Sequence, residues 1–135
     1  MSKFFINHIA LSVKDVDKSV SFYQKVFNFK EIENTASNSL TRWLSIGNGM
    51  QLHLIPRPNA LIKTNKAVHF ALSTLGFEAF VLQLKQMNIE YSDWPGSTFN
   101  DYIRKDGIQQ VYFQDPDNYW IEINDDCLKN NEILS

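Results

Sequence analysis

Three histidines and one glutamate carry the chemistry this sequence suggests: His8, His53, His69 and Glu122. Each lies in a short run that alternates apolar and polar residues, HIALSV, QLHLI, HFALS and WIEIN, so each stands on the more polar face of an expected strand. Imidazole nitrogen and carboxylate oxygen together suit a divalent ion such as zinc, nickel, iron or manganese. Taken singly, each residue has a plainer explanation. A lone strand histidine is more often a satisfied core or surface residue, and Glu122 could face water from an edge strand. A buried Glu122 would be costly, and a nearby cation removes that cost. The joint pattern points to a metal site. The single cysteine, Cys127, excludes a thiolate cluster and an intramolecular disulfide framework, so any ion must be held by imidazole and carboxylate.

The elements that must position these residues repeat within the chain. HIALSVKDVDKSVSFYQKVFNF from His8 aligns without a gap on HFALSTLGFEAFVLQLKQMNIE from His69, an offset of 61 residues. Each half opens with a strand. Phe5, Ile9 and Leu11 are expected on one face of the first, opposite His8, Ala10 and Ser12; Val68, Phe70 and Leu72 are expected opposite His69, Ala71 and Ser73. Apolar residues then recur at helical spacing, as Val16, Val20, Tyr23 and Phe27, and as Phe77, Phe80, Val81, Leu84 and Met87. Asn28 and Asn88, which tolerate the left-handed conformation, are expected to end these helices.

Strands are expected next over 29–32, 41–46 and 51–55, and over 90–92, 109–113 and 119–123. Gly47-Asn48-Gly49 and Asp115-Pro116-Asp117-Asn118 supply the reversals before the last strand of each half. The expected fold class is α+β: two βαβββ modules, about 4–60 and 65–125, within one domain spanning 1–135. His8 and His69 then occupy equivalent positions, as do His53 and Glu122. If the two sheets close around a cavity by pseudo-twofold symmetry, the four side chains converge.

Composition narrows the function classes. The chain of 135 residues is 44% hydrophobic and 13% aromatic, enough for a core, and its 13 basic and 15 acidic residues leave a net charge of −2. That balance provides no basic footprint for nucleic acid. No segment approaches the roughly 18–20 apolar residues that span a bilayer, and the N-terminus does not read as a leader, so a cytoplasmic protein is expected, with neither nucleic acid nor membrane as partner.

From NHIALSVKDVDKSVSFY through HFALS to VYFQDPDNYWIEI, nearly the whole chain resembles the vicinal oxygen chelate superfamily. That superfamily includes glyoxalase I, fosfomycin-resistance thiol transferases, methylmalonyl-CoA epimerase, bleomycin-resistance proteins and extradiol dioxygenases. The resemblance implies U-shaped half-barrels of paired modules, often completed in a homodimer, and maps metal ligands onto His8, His69 and Glu122. The fourth ligand of glyoxalase I, a glutamate, falls on His53. With one carboxylate fewer, Glu122 is the strong candidate for a catalytic base. The implied chemistry is lyase or isomerase chemistry on a small substrate that chelates the ion through adjacent oxygens.

A fosfomycin-type thiol transferase is the alternative, although Ala10 stands where those enzymes usually carry threonine and the tail after Glu122 lacks their basic residue. A ring-cleaving dioxygenase is disfavoured by length. A non-catalytic antibiotic-binding protein would generally lack the ligands kept here. Substrate contacts are expected in loops: Trp94, Tyr102 and Arg104 in the segment 92–107, and Arg57 beyond the His53 strand, offering aromatic walls and anion contacts.

Overall fold

The computed structural model describes residues 3–100 and 102–127, apart from the side chain of Tyr102. The chain divides between residues 63 and 64 into two compact units. Among the described residues, no helix is long and apolar enough to cross a membrane.

In the first unit, β1 (His8–Val13) leads into α1 (Val16–Phe27), followed by β2 (Lys30–Ile32), β3 (Arg42–Gly47) and β4 (Met50–Pro56). The sheet order is β1-β4-β3-β2, with β1 parallel to β4 and the remaining pairs antiparallel. Asp15 caps α1 by accepting the Lys18 amide at 3.1 Å, and Asn28 ends it at φ 57°, donating its own amide to the Gln24 carbonyl. The hairpin between β3 and β4 turns through Gly47, Asn48 and Gly49, all at positive φ. Strand alternation sends Leu44, Leu52 and Leu54 to the core with Val20, Tyr23 and Val26 of α1. Each fully buried leucine contributes about 2 kcal/mol. The other face carries His8, His53 and Trp43.

The second unit runs β5 (His69–Ser73), α2 (Phe77–Gln86), β6 (Tyr91–Ser92), β7 (Tyr102–Ile103), β8 (Gln109–Gln114) and β9 (Trp120–Asn124). Its order is β5-β9-β8-β6, with β7 also pairing with β8. Asn88, at φ 55°, stops α2 one residue after the cap Met87. The Ile89 amide reaches the Leu84 carbonyl and the Asn88 amide reaches that of Lys85, the two bonds of a Schellman motif. Before β9, Asp115 Oδ1 accepts the amides of Asp117 and Tyr119, which holds the expected reversal. Phe77, Leu84, Tyr91, Val111, Phe113, Ile121 and Ile123 are buried in the core.

The α+β architecture follows the expected strand and helix order, with three differences. The segment 92–107 contains β7, whose two residues are too few to produce a period in the sequence. They are drawn into the sheet by a turn in which the Arg104 amide bonds the Ile108 carbonyl and Gly107 sits at φ 86°. Phe5 and Val68 do not join the apolar faces. Both are exposed and lie before β1 and β5, which begin at His8 and His69, paired with Gln51 and Trp120.

Candidate metal centre

In the second unit, β5 and β9 pair in parallel with His69 opposite Trp120 and Ala71 opposite Glu122. His69 and Glu122 therefore share the face turned away from α2, and the small Ala71 leaves the carboxylate room. His69 Nε2 lies 3.6 Å from Glu122 Oε1. The opposite ring nitrogen, Nδ1, is 2.8 Å from the Lys66 carbonyl oxygen, which can only accept, so the proton sits on Nδ1. In the neutral ring Nε2, the nitrogen nearest the carboxylate, then keeps its lone pair. A partner on the far nitrogen that fixes tautomer and ring orientation is the usual support of a metal-binding histidine.

Lys66 holds more than this carbonyl. Its ammonium donates to Ser92 Oγ at 3.1 Å and to the carbonyls of Asp93 and Trp94 at 2.6 and 3.0 Å, which engages all three protons. It also lies 5.0 Å from the ring centres of Tyr112 and Trp120. Desolvation lowers its pKa, against the pull of the Asp93 charge.

Glu122 is only 8% exposed, on a strand flanked on both sides, which removes the possibility of a solvated edge residue. Its Oε1 accepts the Tyr112 hydroxyl at 2.5 Å and its Oε2 accepts Asn124 Nδ2 at 2.7 Å. Burial, reinforced by the bond to Glu122, pushes the Tyr112 hydroxyl well above the usual phenol range, so it remains a donor. These two donors already offset much of the cost of burying the carboxylate, so burial alone does not require a cation. Tyr112 and Asn124 were not singled out from sequence, although alternation on β8 and β9 places both on the Glu122 face. A cavity of about 260 Å³ opens beside Tyr112 and Trp120, bounded also by Ser92 and Gln114.

The first unit brings His8 and His53 together in another way. Their rings stack with centroids 4.1 Å apart and planes 16° from parallel, and Trp43 stacks on His53 at 4.2 Å and 4°. Two rings both parallel to His53 at this distance must occupy its opposite faces, so His53 is sandwiched. His8 Nδ1 donates to Asn7 Oδ1 at 2.8 Å, leaving Nε2 with its lone pair in the neutral ring. His53 Nε2 donates to Gln51 Oε1 at 2.8 Å. Desolvation, then the neighbouring His8, lowers the His53 pKa and favours its neutral form.

Within each unit, then, two of the four expected ligands meet. Of the expected substrate residues, Trp94 is brought beside the pair in the second unit, its ring centre 6.0 Å from that of His69, and the residue is exposed. Arg104 is clamped by Asp106 through two bonds at 3.2 and 2.5 Å. Arg57 is exposed and donates to the Pro56 carbonyl. The Tyr102 side chain lies outside the described residues. The start of the 92–107 segment is ordered by Asp93, whose carboxylate accepts the amides of Gly96 and Ser97 and the Asn100 side chain.

The family model for the Glyoxalase/Bleomycin resistance protein/Dioxygenase superfamily matches residues 5–123, and the chain belongs to that superfamily. Glyoxylase I 4 of Arabidopsis thaliana is 32% identical over 127 residues, covering 87% of this chain and 68% of that protein. Metallothiol transferase FosB of Lysinibacillus sphaericus is 28% identical over 93% of this chain and 84% of its own length. The fold is similar to that of the fosfomycin resistance protein FosX from Listeria monocytogenes, with a TM-score of 0.72 over 91% of this chain and 93% of that one at 23% identity.

Proposed function

We propose that this chain is a metal-dependent lyase or isomerase in which His8, His69 and Glu122 hold a divalent ion and Glu122 is the base. The observation that carries the reading is the pair in the second unit: His69 Nε2 is 3.6 Å from Glu122 Oε1, while the Lys66 carbonyl takes the Nδ1 proton. A histidine nitrogen near a carboxylate oxygen, the ring fixed through its other nitrogen and the carboxylate fixed by Tyr112 and Asn124, is a donor set suited to zinc, nickel, iron or manganese. When bound, the ion polarises a substrate carbonyl and stabilises the negative charge that develops on adjacent oxygens.

The chain's own groups supply the rest. Glu122 takes the proton from the acidified C–H on one of its carboxylate oxygens. Tyr112 and Asn124 keep that carboxylate oriented through both oxygens. Trp94 and Tyr112 offer aromatic surface beside His69 for a small substrate. We further propose a single domain working as a cytoplasmic homodimer, in which the open sheet edges are covered by pairing; a reducing compartment suits the lone exposed thiol of Cys127.

Exchange of the acidic C–H with deuterated water, measured on 2-oxoaldehyde thiol adducts and 2-oxo acids, tests the assignment. Wild-type protein should exchange the proton, a chelator should stop it, and Glu122→Gln should slow it at least about 100-fold because an amide has no useful basicity. Unchanged exchange in Glu122→Gln would remove Glu122 as the base. The similarity to FosB over 93% of the chain supports thiol transfer as the second reading. Consumption of fosfomycin together with a thiol, without C–H exchange, would select it.

A further inference from the structure

We infer that His53 is a positioning residue, an aromatic spacer wedged between Trp43 and His8 that holds the His8 ring with Nε2 presented, and that it is not itself a metal ligand. This rests on the metal reading above and decides the role of one residue within it.

The geometry of the stack carries the inference. An imidazole coordinates through a lone pair lying in its ring plane, at about 2.0–2.1 Å from the ion. Two imidazoles can share an ion only if both planes pass close to it. The His8 and His53 planes are 16° from parallel with centroids 4.1 Å apart, so they converge far beyond the reach of a metal–nitrogen bond. To join His8 on one ion, His53 would have to leave two aromatic faces at once, since Trp43 lies on its other side at 4.2 Å. It would also have to give up the bond from Nε2 to Gln51 Oε1 if that nitrogen were the ligand.

The register shows how the chain builds the stack. Trp43, His53 and Ala10 lie directly opposite one another across β3, β4 and β1, and His8 is opposite Gln51. Ala10 has no ring to place beside His53, so the imidazole of His8, one step along the same face, takes that place. His8 is then restrained twice, by its face against His53 and by Nδ1 on Asn7. Neither restraint touches Nε2.

The test is zinc binding by the full chain, read by competition with a chromophoric chelator and by long-range proton–nitrogen NMR spectra of the imidazoles. In wild type, zinc should shift the Nε2 resonances of His8 and His69 and leave both nitrogens of His53 in place. His53→Phe, which keeps a flat ring but no ligand atom, should hold zinc affinity within about threefold. His53→Ala should weaken it about tenfold, the loss usual for an outer-shell partner. A coordination shift at a His53 nitrogen, or a loss in His53→Phe as large as that in His8→Ala, would overturn the inference while leaving the metal reading intact. Absence of zinc binding by wild type and all variants would overturn the metal reading and, with it, the holding role.

Discussion

Ala10 faces His53 in the first unit and Ala71 faces Glu122 in the second, so His53 and Glu122 occupy the same place in the parallel register of their units. The local outcomes differ. An imidazole beside an imidazole turns its face and stacks, burying ring surface against His8 and Trp43. A carboxylate has no face to stack, so Glu122 turns an oxygen toward His69 and recruits Tyr112 and Asn124 as donors. The backbone chooses where a side chain starts, and the side chain's own chemistry chooses how it meets its neighbour. Internal repetition therefore duplicates positions without duplicating roles.

The harshest way to break this contrast is Glu122→His, which gives the second unit the ligand type of the first. It removes the carboxylate, whose second oxygen can take a proton while the first holds the ion; an imidazole that holds the ion has no second lone pair for the proton, and the Tyr112 hydroxyl and the Asn124 amide lose their acceptor. C–H exchange should fall by at least about 100-fold, measured by loss of the proton signal in deuterated water. Rates at the wild-type level in this variant would mean that the carboxylate is not the catalytic difference between the units.

The converse change, His53→Glu, gives the first unit the residue of the second and sharpens the comparison. It exchanges a stacked ring for an oxygen ligand opposite Ala10, where Glu122 stands opposite Ala71. Metal affinity should rise in spite of the lost spacer ring under His8, because a carboxylate oxygen adds a bond to the ion where the stacked imidazole makes none. Competition titration measures it, and unchanged affinity would show that the two positions are equivalent in register alone.

The mildest change is Tyr112→Phe, which keeps the ring but removes the 2.5 Å bond to Glu122 Oε1. Metal affinity should drop, by about tenfold at most if Asn124 still holds the other oxygen. Stability should fall by about 1–3 kcal/mol, read from the denaturation midpoint, because a buried carboxylate oxygen loses its donor. A stability loss without any change in metal affinity would assign Tyr112 to folding alone.

Much of this molecule is written in local periodicity. The alternation in HIALSV and HFALS, the three-and-four spacing after Val16 and Phe77, and the helix-stopping asparagines Asn28 and Asn88 depend on neighbours within a few residues, and sequence exposes them. The shared face of His8 with His53, and of His69 with Glu122, follows from the same period of two once the registers are equivalent. Where sequence reasoning failed, the cause was a contact between distant segments. β7 takes its identity from pairing with β8, and Phe5 and Val68 lie before the first paired residues of β1 and β5 and are exposed.

The chemistry divides along the same line. Residue type alone established that His8, His53, His69 and Glu122 could bind a cation, because nitrogen and oxygen donors are a property of the side chain. Only the tertiary structure decided what each donor faces. The Nδ1 proton of His69 is fixed by a carbonyl three residues earlier, whereas the Glu122 carboxylate is held by a tyrosine on a neighbouring strand, and the plane of His53 is set by rings from two others. Ring orientation and tautomer depend on atoms within about 3–4 Å, and neighbours at that distance can come from anywhere in the chain.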